Sequence, residues 1–362
     1  MTNTACKVAA GWAAGYGTLA LGWTITGRGF PFGTNDHHNG ISNALRELDP
    51  GTGAPIFAAV LLATAVALLI AAGNPAPARP GRLAILGLLW PVAAALLIVV
   101  PDARLLALAG YAPMLIAGLP FGWPPVDYSA IFTWNLGNQL VAVIGGVLVA
   151  RAALTWQRRS AGACERCGRR ATGGGGWTEP ERAARWGRVA VGVAATVPAL
   201  YAVSRLSWAA GIPLGIDDAF LEQMRAEGIL VAAAGLGSFA LVGAVLTLGL
   251  AQRWGERFPR WMIGLAGRPV PIRLATVPAT VVAILVAAAS VSLFTAPGAG
   301  NLFTGASAPG LLWPLWSVAL GAAAYAYHLR RRPACGRCGR PAEAGRESRR
   351  EGLVPQPGAG AY

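Results

Sequence analysis

Four of the five cysteines fall into two copies of one short motif, Cys164-Glu165-Arg166-Cys167-Gly168-Arg169 and Cys335-Gly336-Arg337-Cys338-Gly339-Arg340. Two thiols three residues apart can share one tight turn. The glycine after the second admits a backbone geometry that turns N–H groups toward sulfur. Two such knuckles supply four thiolates, the closed tetrahedral shell that holds structural zinc. The expectation is a Zn site made by Cys164, Cys167, Cys335 and Cys338. Arg166, Arg169, Arg170, Arg337 and Arg340 would offset a tetrathiolate centre of charge about −2. A redox-active or disulfide pair, an iron–sulfur cluster and two unrelated loops are the competing readings. Cys6 reads as a free thiol.

The remaining polar candidates are few. Arg205 falls inside an apolar run, where it can hold an anionic group, snorkel to the interface or pair with Asp217 or Asp218. Asn135, Asn138 and Gln139 recur at helical spacing on one face. They suit either a polar cavity wall or hydrogen bonds between helices. Asp36-His37-His38 reads as a solvated loop, with Asp36 and Asp218 as candidate helix caps. Gly173 to Gly176 form a linker, since no Gly-Lys-Ser/Thr follows them. Gly11 and Gly15 are spaced for close helix packing. No HExxH or GxSxG motif occurs, and no carboxylate falls within an apolar span, which disfavours a catalytic role and a proton-coupled pump and leaves an intramembrane enzyme acting on lipid as a distant third reading.

The elements that must position these residues are membrane helices. Of 362 residues, 54% are hydrophobic and 13% charged, with mean hydropathy +0.49, against about 25% charged in a soluble domain. Apolar runs of about 20 residues recur from end to end. The chain therefore reads as an all-α integral membrane protein with about eight transmembrane helices, near 8–27, 55–73, 83–100, 129–154, 187–207, 229–251, 274–296 and 310–329. Residues 105–122 are also apolar; Pro113 and Pro120 disfavour a straight helix there, and a re-entrant or interfacial insertion is expected.

The formal charge of +14 follows topology. Its arginines bunch at 151–188, 253–273 and 330–350, each after an apolar run, where cytoplasmic loops of an inner-membrane protein carry Lys and Arg. With both termini cytoplasmic, 25 of the 30 basic residues lie inside. Anionic lipid, not nucleic acid, is the expected partner of this charge.

The chain is also written twice. Gly29-Phe30-Pro31-Phe32-Gly33-Thr34-Asn35-Asp36 after the first span matches Gly211-Ile212-Pro213-Leu214-Gly215-Ile216-Asp217-Asp218 after the fifth. Arg79-Pro80 before the third span matches Arg268-Pro269 before the seventh, and the two cysteine knuckles close the two copies. The expected organisation is a first four-span repeat over 1–170, a Gly-rich cytoplasmic linker over 171–184, a second four-span repeat over 185–341 and a disordered tail over 342–362. Two parallel repeats imply a pseudo-twofold axis along the membrane normal. The leading functional expectation is a binding or transport module for a small or lipophilic molecule, with the zinc site clamping its repeats. The alternative is a membrane scaffold or sensor whose zinc-clamped cytoplasmic face recruits a partner protein.

Overall fold

The computed structural model describes residues 2–36, 43–74, 78–122, 128–170, 176–295 and 305–339. His37, His38, Gly173 to Gly175 and the tail 342–362 lie outside these residues. Helices dominate: α1 (Thr2–Thr26), α2 (Pro50–Gly73), α3 (Arg79–Ala94), α4 (Ala103–Gly118), α5 (Tyr128–Ile131), α6 (Trp134–Ser160), α7 (Pro180–Ala209), α8 (Asp218–Ala226), α9 (Ile229–Leu248), α10 (Ile272–Thr295) and α11 (Trp313–Arg331). A π-helical turn, Ala95–Val99, extends α3.

Among the described residues, seven helical segments are long and apolar enough to cross a membrane: 50–73, 79–99, 103–121, 134–160, 180–209, 229–248 and 272–295. At 1.5 Å per residue, the 24 residues of α2 reach about 36 Å, more than a hydrocarbon core of about 30 Å. Helices α1 and α11 are of similar length, 25 and 19 residues. They are more polar at the end bearing Lys7 in one and His328, Arg330 and Arg331 in the other.

Small residues let these helices approach closely. Helix α1 packs on α2 and α6, and α3 packs on α6; in the second half α7 packs on α9 and α11, and α10 packs on α11. The apolar core of the first half gathers Cys6, Leu68, Ala71, Leu89, Val149 and Trp156, and that of the second gathers Val191, Leu250, Ala283, Leu320 and Tyr327. The halves meet where α10 packs on the π-helical turn and on α4, with Leu285 against Leu105 and Leu136.

Contacts sort the helix ends into two faces. At one, Trp156 Nε1 donates to Asn74 O (3.2 Å) and Arg82 Nε to Ser160 Oγ (2.9 Å), so α6 ends where α2 ends and α3 begins. Arg332 Nη2 donates to Thr178 O (3.4 Å), and Arg330 Nη2 to Leu250 O (2.6 Å), which brings the ends of α11 and α9 beside the start of α7. At the opposite face, Asn135 Nδ2 donates to Pro31 O (2.5 Å) and Trp134 Nε1 to Gly29 O (2.9 Å). Segment 103–133 leaves from this face, at Asp102, and returns to it, at Thr133. The paired loop motifs share backbone geometry as well: Gly29 and Gly33 have φ of 88° and 73°, and Gly211 and Gly215 have 82° and 76°.

Several local expectations need correction. Helix α4 continues through Pro113, because only the carbonyl one turn earlier loses its partner. Helix α7 starts at Pro180, so the end of the expected linker is helical. Asp217, rather than Asp218, caps α8 by accepting from Phe220 N (2.6 Å), while Asp36 is an ion-pair partner. A side chain at Gly11 or Gly15 would meet nothing within 4 Å. The close approach is on α6, where a Cβ at Gly145 would fall 2.0 Å from the Trp12 ring and one at Gly146 2.6 Å from Leu97.

Candidate metal centre

Each knuckle emerges from the end of a long helix, the first from α6 and the second from α11. In the first, Gly168 N donates to Cys164 O (2.7 Å), and in the second Gly339 N donates to Cys335 O (2.9 Å). Both turns depend on a left-handed glycine, with φ of 74° at Gly168 and 66° at Gly339, where a side chain is strained. The result is that Cys164, Cys167, Cys335 and Cys338 converge, with all four Sγ atoms within 4.8 Å of one another. Two of the pairs cross between the halves at close range: Cys164 to Cys335 at 3.9 Å and Cys167 to Cys338 at 3.7 Å. A regular tetrahedron with metal–sulfur bonds of about 2.3 Å has edges of about 3.8 Å. The donor set and its spacing fit a metal ion.

The electrostatics fit as well. Burial opposes charge at Cys164, but the amide N–H groups of Cys167 and Arg166 outweigh it and hold the thiol below its ordinary range. In the same turn geometry, the amides of Arg337 and Cys338 bring Cys335 down to about 6. Burial, together with the adjoining sulfurs of Cys164, Cys338 and Cys335, pushes Cys167 up to about 12. Amide dipoles thus favour thiolates that cannot all form beside one another unless a cation joins them.

Around the sulfurs the halves are also tied by charge. Arg337 Nη1 lies 2.9 Å from Glu165 Oε2, Arg159 Nε lies 3.6 Å from the other carboxylate oxygen, and Arg169 Nη1 donates to Pro333 O (3.2 Å). Arg166 and Arg170 flank the first knuckle, and Arg340 lies outside the described residues. Cys6 is buried apart from the cluster, beside Ala71 and Trp156.

The other candidate residues gather elsewhere. Asn135, Asn138 and Gln139 are buried together at the face opposite the cysteines. Tyr16 Oη donates to Asn138 Oδ1 (3.0 Å), and Gln139 Nε2 donates to Asn135 Oδ1 and to Asp102 Oδ2 (both 2.7 Å). Asp102 is the group that sequence reasoning missed. It is a fully buried carboxylate that also accepts from Arg104 Nε (3.0 Å) and Asn43 Nδ2 (3.3 Å). Arg104 reaches on to Asp36, with Nη1 donating to Oδ1 at 3.0 Å. Its only sequence signal was two opposite charges two residues apart between apolar runs.

Beside this triad, Gly29, Phe30, Pro31, Asn35, Asp36, Thr133, Trp134 and Asn135 line an open cleft of about 450 Å³, all of it within the first half. Arg205 belongs to the other half, its guanidinium stacked on Tyr201 (4.7 Å) and Trp208 (4.0 Å) of its own helix. His328 is exposed on the last turn of α11. The chain is thus a helical, membrane-type protein with a four-cysteine cluster able to bind a metal, and no protein-family model, curated protein or solved structure matches it.

Proposed function

We propose that the protein is a membrane scaffold whose two four-helix repeats are clamped on their cytoplasmic face by one structural zinc ion, held by Cys164, Cys167, Cys335 and Cys338. The observation that carries the reading is the pairing of the sulfurs across the halves at 3.9 and 3.7 Å. Neither half has four donors alone, so a metal there is a crosslink. A closed four-thiolate shell leaves no open position for substrate, which makes the role structural. Thiols kept reduced suit the cytoplasm, and the arginine-rich loops lie on the same face.

Eight crossings accompany this reading. Helices α1, α2, α3 and α6 form one repeat and α7, α9, α10 and α11 the other, related by a pseudo-twofold axis along the membrane normal. The matching packing partners and the shared left-handed glycines of the two loops support it. Helix α4 is then an excursion from the outer face, since its segment leaves and returns there. Both termini lie inside, in an inner membrane.

The apolar packing of Leu285 on Leu105 and Leu136 between the halves favours the scaffold over a transport pathway along their interface. A second reading keeps a small-molecule site, because the outer cleft is open and has Asp36 and Asn135 on its wall. Asn138 and Gln139 then support that wall from behind, and Arg205 braces the other half. The test of the clamp is metal content by mass spectrometry on detergent-purified protein. One zinc per chain in the wild type and none in Cys335→Ser is expected; wild type free of metal would refute it.

A further inference from the structure

Residues 249–271, between α9 and α10, form a structured loop, whereas the matching connection in the first half runs only from Asn74 to Ala78. The loop has a hydrogen-bonded stem. Phe258 N donates to Arg268 O (3.0 Å), Gly267 N to Phe258 O (3.0 Å) and Val270 N to Glu256 O (2.9 Å). The stem is fixed to the end of α11, where Tyr327 Oη donates to Gly255 O (2.8 Å) and Arg330 pairs with Glu256 (3.1 Å). It therefore lies on the face that carries the cysteine cluster.

What this stem presents is unusual for a loop. Trp261 is 78% exposed, Ile263 is 100% exposed, and Leu265 is exposed beside them. Exposed apolar residues on the long helices are accounted for by acyl chains around them; those on a loop beyond the helix ends are not. Arg257, Arg260 and Arg268 surround the tip, all exposed and without an ion-pair partner among the described residues. The loop's single carboxylate, Glu256, is already taken by Arg330. Backbone groups of the tip are bonded locally, with Met262 N donating to Pro259 O (3.1 Å) and Ala266 N to Met262 O (2.9 Å), so little is lost by moving it out of bulk water.

We infer that this loop is an anchor for anionic lipid headgroups of the bilayer that holds the protein. Trp261 and Ile263 seat at the boundary between headgroups and acyl chains, where indole is favoured, and the three arginines bind headgroup phosphates. Charge complementarity selects this occupant: an uncompensated cationic rim around an aromatic tip, tethered directly to two apolar helices. The inference does not depend on the zinc clamp.

The test uses the full chain in nanodiscs carrying brominated acyl chains, of phosphatidylcholine alone or with phosphatidylglycerol. The contribution of Trp261 is the wild-type signal minus that of Trp261→Phe, so the other twelve tryptophans cancel. Quenching of Trp261 that requires phosphatidylglycerol is expected. It should be lost in Arg257→Gln/Arg260→Gln/Arg268→Gln, where three guanidiniums together weaken the attachment on the order of 100-fold. If that variant fails to fold, raised salt on the wild type must produce the same loss. Equal quenching in both compositions would overturn the inference. So would a Trp261 that bromolipid does not reach but aqueous acrylamide does, which would make the tip a surface for a soluble protein.

Discussion

Replacing Arg104 by Met should be among the most damaging single substitutions in the first half. The side chain sits between two carboxylates, Asp102 fully buried and Asp36 nearly so. Removing it leaves two like charges, with Gln139 Nε2, Asn43 Nδ2 and the backbone N–H of residue 104 as the donors still on Asp102. Breaking one partner out of a buried ion pair costs about 3–5 kcal/mol. At roughly 2 °C per kcal/mol for a chain of this size, the unfolding midpoint in detergent should fall by about 6–10 °C, read from intrinsic tryptophan fluorescence. Asp102→Asn keeps the acceptor oxygen while removing the charge that Arg104 balances. The double variant Arg104→Met/Asp102→Asn should therefore be less destabilised than the two singles summed, by about 1–3 kcal/mol of coupling. If Arg104→Met shifts the midpoint by less than about 1 °C, or the two effects simply add, the triad is not a coupled buried unit and the reasoning fails.

Two further outcomes follow from the packing. Gly145→Ala drives a methyl into the Trp12 ring and should cost about 1–3 kcal/mol, while Gly15→Ala, with open space around it, should be neutral or slightly stabilising; equal effects in thermal unfolding would contradict the α1–α6 contact. After chelation, oxidation with diamide should link the two motifs, joining Cys164 to Cys335 and Cys167 to Cys338, which face each other at 3.9 and 3.7 Å, as mapped by mass spectrometry of linked peptides. Failure to form any linkage between the two motifs would show that the knuckles do not face each other.

The legible parts of this protein were the local ones. Apolar runs of helical length announced α2, α3, α6, α7, α9 and α10, and Cys-x-x-Cys-Gly announced two knuckles, because each signal is complete within a few residues. Their convergence was inferred from the order of repeated landmarks. The triad was hidden for the opposite reason. Asp102 and Arg104 stand between two apolar runs and look like loop charges; only the fold brings Asp36, Asn43 and Gln139 to them from segments about 40 to 70 residues away. A proline rule misjudged α4, since one lost hydrogen bond does not stop a helix that its neighbours support. Glycine spacing pointed to Gly11 and Gly15, yet spacing does not say which face meets a partner, and Gly145 and Gly146 are the pair in contact.

The central claim is that one zinc joins the two halves through four sulfurs, and X-ray absorption at the zinc edge tests it most directly on the purified full chain. Four sulfur neighbours at about 2.3 Å are expected, with the sulfur shell broken in Cys164→Ser and in Cys338→Ser alike. A shell of mixed nitrogen and oxygen, or one that survives loss of either knuckle, would contradict the clamp.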